Sequence, residues 1–274
     1  MTPERERRCQ HIPLTQKPLV MVLCQIQFSP IRQLDRYIGA IQERFRRMGL
    51  PIERVGKVRQ ITFGQAGAQP DFSEETRWEY LTRDQHQSVL LTERSLVLQT
   101  ADYERFEVFA ERLQTLLDVV FCETEHDQHG VVERIGLRYV DAVLPRPGED
   151  FRHYVREGLH GVADDVFLPG THRAFWQSAG ATSIGNHQGV LMLRVSQNDQ
   201  GALLPADLIE GAPQLGRPEP TGTLITLIDM DHFIEDTLDA NADALVPLAY
   251  AMHDDIINAF HHHVATPEAI AIWK

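Results

Sequence analysis

The segment RIGLRYVD, Arg134 to Asp141, carries two guanidinium groups four residues apart. In an extended strand Arg134, Gly136 and Arg138 point one way, and Ile135, Leu137 and Tyr139 the other. Gly136 leaves a shallow notch between the arginines, where an anion, a carboxylate or another chain's backbone can be held by guanidinium forks. The alternative is structural. Acids on neighbouring strands, such as Glu79, would satisfy both arginines by cross-strand pairing while aromatic side chains cover the notch. Both readings stand at this point, with Leu137 and Tyr139 assigned to a core.

Thirteen histidines, three of them consecutive at 261–263, raise metal chemistry. On a helix Asp254, Asn258 and His261 share one face, and Asp255 and His262 another. DMDHF (229–233) adds two carboxylates and a histidine, read as a strand end. A metal site needs three or four ligands and a supporting shell, and HExxH is absent. No metal site is therefore expected, with Asp254 and His261 the weak alternative. The competing reading is a solvated polar face, where protonated histidines suit the C-terminal end of a helix dipole. His263 continues the apolar stripe and is expected to be partly buried.

Nucleophilic catalysis has no support. GxSxG is absent, and Ser178, Ser183 and Ser196 carry no accompanying motif. Cys24 and Cys122 read as small core residues. GQAG and SIGNHQG fit neither nucleotide fingerprint, and the second reads as a hairpin turn over Gly185 and Asn186. No cofactor is expected. Trp78 and Trp176 read as packing residues, or as lining if a pocket forms between the sheet and the long helices.

Several elements position these residues. LVMVLCQIQF (19–28) reads as a strand, and SPIRQL starts a helix with Ser29 as N-cap and Pro30 at its first position. Short strands follow at VRQITFG, RWEYLTR, SVLLTE and SLVLQT, with 65–75 a loop. Asp102 is placed to cap a helix whose broad apolar face runs from Tyr103 to Phe121. The order then begins again: strand VVERIGLRYVDAVL, short helix FRHYVREGL, strands RAFWQSAG, GVLMLRVSQ and GTLITLIDM, and a long helix from about Ala244 to His263. The stretch 198–222 is a long irregular connection, read as a decorated hairpin loop or as a lid.

This pattern predicts an α+β protein of curved antiparallel sheets packed by long helices. Two pseudo-repeated β-α-β(n)-α units, 18–124 and 130–266, follow a polar segment 1–17 and form one compact body. Such a duplication resembles TATA-box-binding-protein-like or helix-grip-like folds and carries no function with it.

Bulk chemistry narrows the classes. The 274-residue chain is 43% hydrophobic, so it can bury a core, and its formal net charge of −13 opposes binding to nucleic acid or an anionic membrane. Three cysteines without CxxC spacing suggest a reducing compartment. The first apolar run starts too late and is too short for a signal peptide or a span. A cytoplasmic protein is expected.

Taken together, QIQFSP, WEYLTRD, YERFEVF, RIGLRYVD, DMDHF and TPEAIAIW resemble a sporadically distributed bacterial family of hypothetical proteins of about this length. The resemblance covers nearly the whole chain, with RIGLRYVD its most specific piece. It implies a single full-length unit and brings no activity, cofactor or catalytic residue. The residues point first to a non-enzymatic protein that binds a partner protein or an anionic ligand through Arg134, Gly136 and Arg138, with Trp78 and Trp176 as lining. A metal-assisted hydrolase built on residues 229–233 and 253–262, and a homo-oligomeric scaffold, are the alternatives.

Overall fold

The computed structural model describes residues 14, 16–62, 71–146, 148–162, 175–185, 189–198, 201–217 and 224–274. Cys9, Asn186, most of the segment 1–17 and the loop residues 65–70 lie outside the described residues.

Among the described residues nine strands form one antiparallel sheet in the order β2-β3-β4-β5-β1-β6-β9-β8-β7. They are β1 (Leu19–Phe28), β2 (Ile52–Thr62), β3 (Asp71–Leu81), β4 (Gln87–Leu91), β5 (Ser95–Thr100), β6 (Val131–Val143), β7 (Phe175–Ile184), β8 (Gly189–Asn198) and β9 (Ile225–Asp239). The helices are α1 (Asp35–Arg47), α2 (Phe106–Glu123), α3 (His126–His129), α4 (Ala242–Ala259) and α5 (Pro267–Trp273). The expectation of several sheets is thus corrected to one. Strands from residues 19–100 lie on one side of the β1–β6 seam and those from 131–239 on the other. Among the described residues no helix is long and apolar enough to cross a membrane.

The sheet has two unlike faces. On one, α1, α2 and α4 lay their apolar stripes over Val22, Cys24, Ile26, Leu98, Ile135, Leu137 and Met230, forming the main core. On the other, the connection between β8 and β9 folds back across the strands. Its Leu203 and Leu204 join Val20, Met21, Leu23, Val140, Ala142 and Leu227 in a second, smaller core. Cover on both faces explains why β1 reads as a nearly unbroken apolar run instead of alternating.

Local chemistry changes several boundaries. Ser29 does not cap α1. Its hydroxyl accepts from the Val131 amide at 3.2 Å, and α1 begins six residues later at Asp35. Asp102 does not cap α2 either, which starts at Phe106 after an extended Arg105. FRHYVREGL forms two 3₁₀ turns, Phe151–His153 and Glu157–Leu159, instead of an α-helix. Between them the backbone is spent elsewhere: Val155 bridges Ala265 and the Arg156 amide donates to the Val264 carbonyl at 2.9 Å. The last long helix passes at Phe260 into a π-turn, Phe260–Val264. That wider turn carries Val264 inward and leaves His263 exposed, against the expectation of partial burial. The loop expected over 65–75 ends by Asp71, where β3 begins.

Candidate anion-binding cavity on the outer face

Strand alternation brings Arg134, Gly136 and Arg138 to the face away from the helices, as their spacing predicts. Gly136 lies opposite Gln25 of β1 and Phe233 of β9. The glycine is needed for Arg134 itself. A Cβ there would stand 2.6 Å from Nη1 of Arg134, whose guanidinium lies over the bare backbone. That guanidinium also sits 4.6 Å from the centre of the Phe233 ring and donates from Nη1 to Oε1 of Gln25 at 3.0 Å. Its contacts with carboxylates are longer, 3.4 Å to Asp231 and 3.7 Å to Glu235. Charge-assisted bonds of full strength run about 2.7–2.9 Å.

Arg138 is bound more tightly. Its Nε and Nη2 grip Asp229 at 2.7 and 2.8 Å, and its Nη1 and Nη2 reach Asp207 at 2.7 and 3.3 Å. Arg194 of β8 donates to the same Asp229 at 2.9 Å. Burial would lower the Arg138 guanidinium, but the two carboxylates outweigh it and hold it above its ordinary value. Burial likewise pushes Asp207 up, and Arg138 overcomes this to leave it below the usual carboxylate range. Burial holds Asp231 above that range although Arg134 and Arg138 oppose it. The structural alternative of ion pairing is therefore partly realised, with different partners: Glu79 lies 3.8 Å from Arg54 instead.

Asp207 comes from the β8–β9 connection, which acts as a strap. It spans the sheet by Asp207 on Arg138, Glu210 on Arg77 at 3.4 Å, the Gly211 carbonyl under the Gln99 amide, and the Gln214 amide donating to the Gln85 carbonyl at 2.8 Å. Beneath it lies a cavity of about 310 Å³ lined by Gln25, Arg77, Gln99, Arg134, Gly136 and Arg138, with Asp207, Glu210 and Asp231 at its edge. The long connection is thus no plain hairpin loop. Sequence reasoning missed Arg77, Gln25 and Gln99. Arg77 was within reach, since it alternates with Trp78 on the same strand.

The other candidates separate. Trp78 and Trp176 are buried in the helix-side core, and Trp176 donates from Nε1 to Oε1 of Gln197 at 3.0 Å. The sheet lies between them and the arginines, so they do not line this cavity. A pocket does form between the sheet and α4, but Tyr103, Tyr139 and Phe260 supply its aromatic walls, not the tryptophans. DMDHF lies inside β9, not at its end, and alternation divides it: Asp229 and Asp231 face the arginines, while His232 is buried towards α4, 3.7 Å from Asp255. Asp254 is exposed on α4, and His261 is half-buried at the mouth of the helix-side pocket. Among the described residues no three His, Cys, Asp or Glu side chains are grouped to hold a metal ion.

Set against protein-family models and against curated proteins, the chain matches none of either.

Proposed function

We propose that the chain is a non-enzymatic binding protein that takes an anionic group, from a small ligand or a partner's acidic side chain, in the cavity beneath the strap. Arg134 carries this reading. It is anchored by Gly136, Phe233 and Gln25, yet its carboxylate contacts at 3.4 and 3.7 Å leave donor capacity facing the cavity. Asp207 supports it as well: this strap carboxylate lies on Arg138 in the two-pronged manner an incoming carboxylate would adopt. With a net charge of −13 the overall field repels anions, so recognition depends on a built local site.

The same reading takes the fold as two β-α-β(n)-α units meeting at the β1–β6 seam, as in TATA-box-binding-protein-like architectures, and the chain as a cytoplasmic member of the bacterial family that RIGLRYVD resembles. The strand order supports the first of these. The separation of Asp229 and Asp231 from α4 by the sheet weighs against the hydrolase.

Calorimetric titration with succinate and with inorganic phosphate tests the proposal. Saturable binding of either is expected, weakened at least tenfold in Arg134→Gln and by added salt. No saturable binding to wild-type protein, with Arg134→Gln altering only the melting temperature, would refute it.

A further inference from the structure

The opposite face of the RIGLRYVD strand holds a second pocket, separated by the sheet from the arginine cavity. Tyr139 and Asp141 of β6 face α4 there. Apolar walls come from Leu19, Met230, Ile256, Ile257 and Phe260, and Lys17, Glu104 and His261 stand around the opening. The space free to atom centres is about 70 Å³. A water needs roughly 10–15 Å³ on that measure, so about five non-hydrogen atoms fit.

Asp141 is 5% exposed. Among the described residues its carboxyl group makes no hydrogen bond and no ion pair within 4 Å, and its oxygens are not fully shut off but open towards the pocket they line. The polar groups around it reach other partners. Arg217 spends Nη2 on the carbonyls of Lys17, Pro18 and Leu19 at 3.0–3.2 Å. Lys17 donates from Nζ to the Glu104 carbonyl at 2.8 Å. The Tyr139 hydroxyl is shared between His253 Nδ1 at 2.8 Å and the Tyr103 hydroxyl at 3.0 Å. Burial raises the Asp141 carboxyl to about 7, opposed by the charge of Arg217.

A buried acid without a donor is costly, and native folds rarely keep one unless something else supplies the bond. The group that meets this carboxyl in its ionised form is a hydrogen-bond donor, and a cation compensates a carboxylate best. The ring of Tyr139 favours a cation further, while that of Tyr103 already carries Lys17, whose Nζ lies 5.5 Å from its centre. The aliphatic walls favour hydrocarbon, and the volume limits its length. A ligand carboxylate would meet Asp141 as a like charge. We propose that this pocket binds a small primary amine with a short hydrocarbon tail, its ammonium group on the Asp141 carboxylate and its tail against Met230, Ile256 and Phe260.

The test is titration of the full chain with n-butylammonium, n-butanol and butyrate, followed by calorimetry and by methyl resonances of Met230 and Ile256. Wild-type protein is expected to bind butylammonium saturably, at least tenfold tighter than butanol, and butyrate not at all. Asp141→Asn keeps the shape and should erase the preference for the amine. Ile257→Trp, which fills the space, should abolish binding of both. Equal affinity for amine and alcohol, a preference that survives Asp141→Asn, or no saturation of wild type overturns the proposal. If Asp141→Asn does not fold, Ile257→Trp decides alone, because undiminished butylammonium binding then refutes the site. None of these outcomes bears on the arginine cavity.

Discussion

Asp141→Asn is expected to stabilise the protein at neutral pH and to leave its stability unchanged in acid. The carboxyl group rises from an ordinary 3.8 to about 7 on folding, chiefly through burial. A raised acid binds protons more tightly folded than unfolded, so its contribution to stability falls as pH climbs from about 4 through 7. The gap corresponds to roughly 4 kcal/mol once both states are ionised. Asparagine has the same shape and no charge, so the difference between the two proteins should be near zero at pH 4 and grow to roughly 4 kcal/mol by pH 8. Tyr103 and Tyr139 stay neutral across this window, both hydroxyls being raised by burial. Glu104 and His261 line the same pocket but are common to both proteins, so they largely cancel in the difference. Urea unfolding of both proteins at five pH values from 4 to 8 measures it. A difference under about 1 kcal/mol at pH 8, or a wild type more stable than the variant, would refute the claim that this carboxyl lacks a donor.

Three further outcomes follow from the outer face and the thiols. Arg138→Met should cost about 3 kcal/mol by urea unfolding, the low end for breaking a buried pair, because Arg194 still holds Asp229 at 2.9 Å. Gly136→Ala should cost about 1–3 kcal/mol and weaken succinate binding as Arg134 does, since the new methyl takes the place of its guanidinium; unchanged stability would mean the side chain does not lie over the glycine. Iodoacetamide followed by peptide mass mapping should modify Cys122, which is exposed, and spare Cys24, whose thiol burial pushes up to about 12.

Much of the fold is written in local pattern. β1 and β5 coincide with the apolar runs at 19–28 and 95–100, and the stripe that begins at Tyr103 supplies, from Phe106 to Phe121, the buried face of α2. These elements are legible because one residue's neighbours decide them. The partners of the arginines are not, because they depend on which strands become neighbours. Glu79 looked available, yet β3 stands four places from β6, while β9, from ninety residues later, lies beside it. Alternation was sufficient to divide Asp229 and Asp231 from His232, and to place Asp141 with Tyr139, had it been carried through those stretches. The π-turn that expels His263 has no counterpart in the stripe. The strap's signal was four leucines, Leu203, Leu204, Leu208 and Leu215, in a segment otherwise composed as a loop.

The strap also bears on synthesis. The outer surface of β1 presents Val20, Met21 and Leu23, but Leu203 and Leu204 that cover it are made about 180 residues later. At about 5–20 residues per second this is an interval of about ten to forty seconds. Through that interval the nascent chain presents an apolar patch, and for its first part, until β6 is made, also the unpaired edge of β1; both are features that chaperones and self-association act upon. Translation speed between residues 100 and 217 therefore governs how long the early strands must wait for their cover.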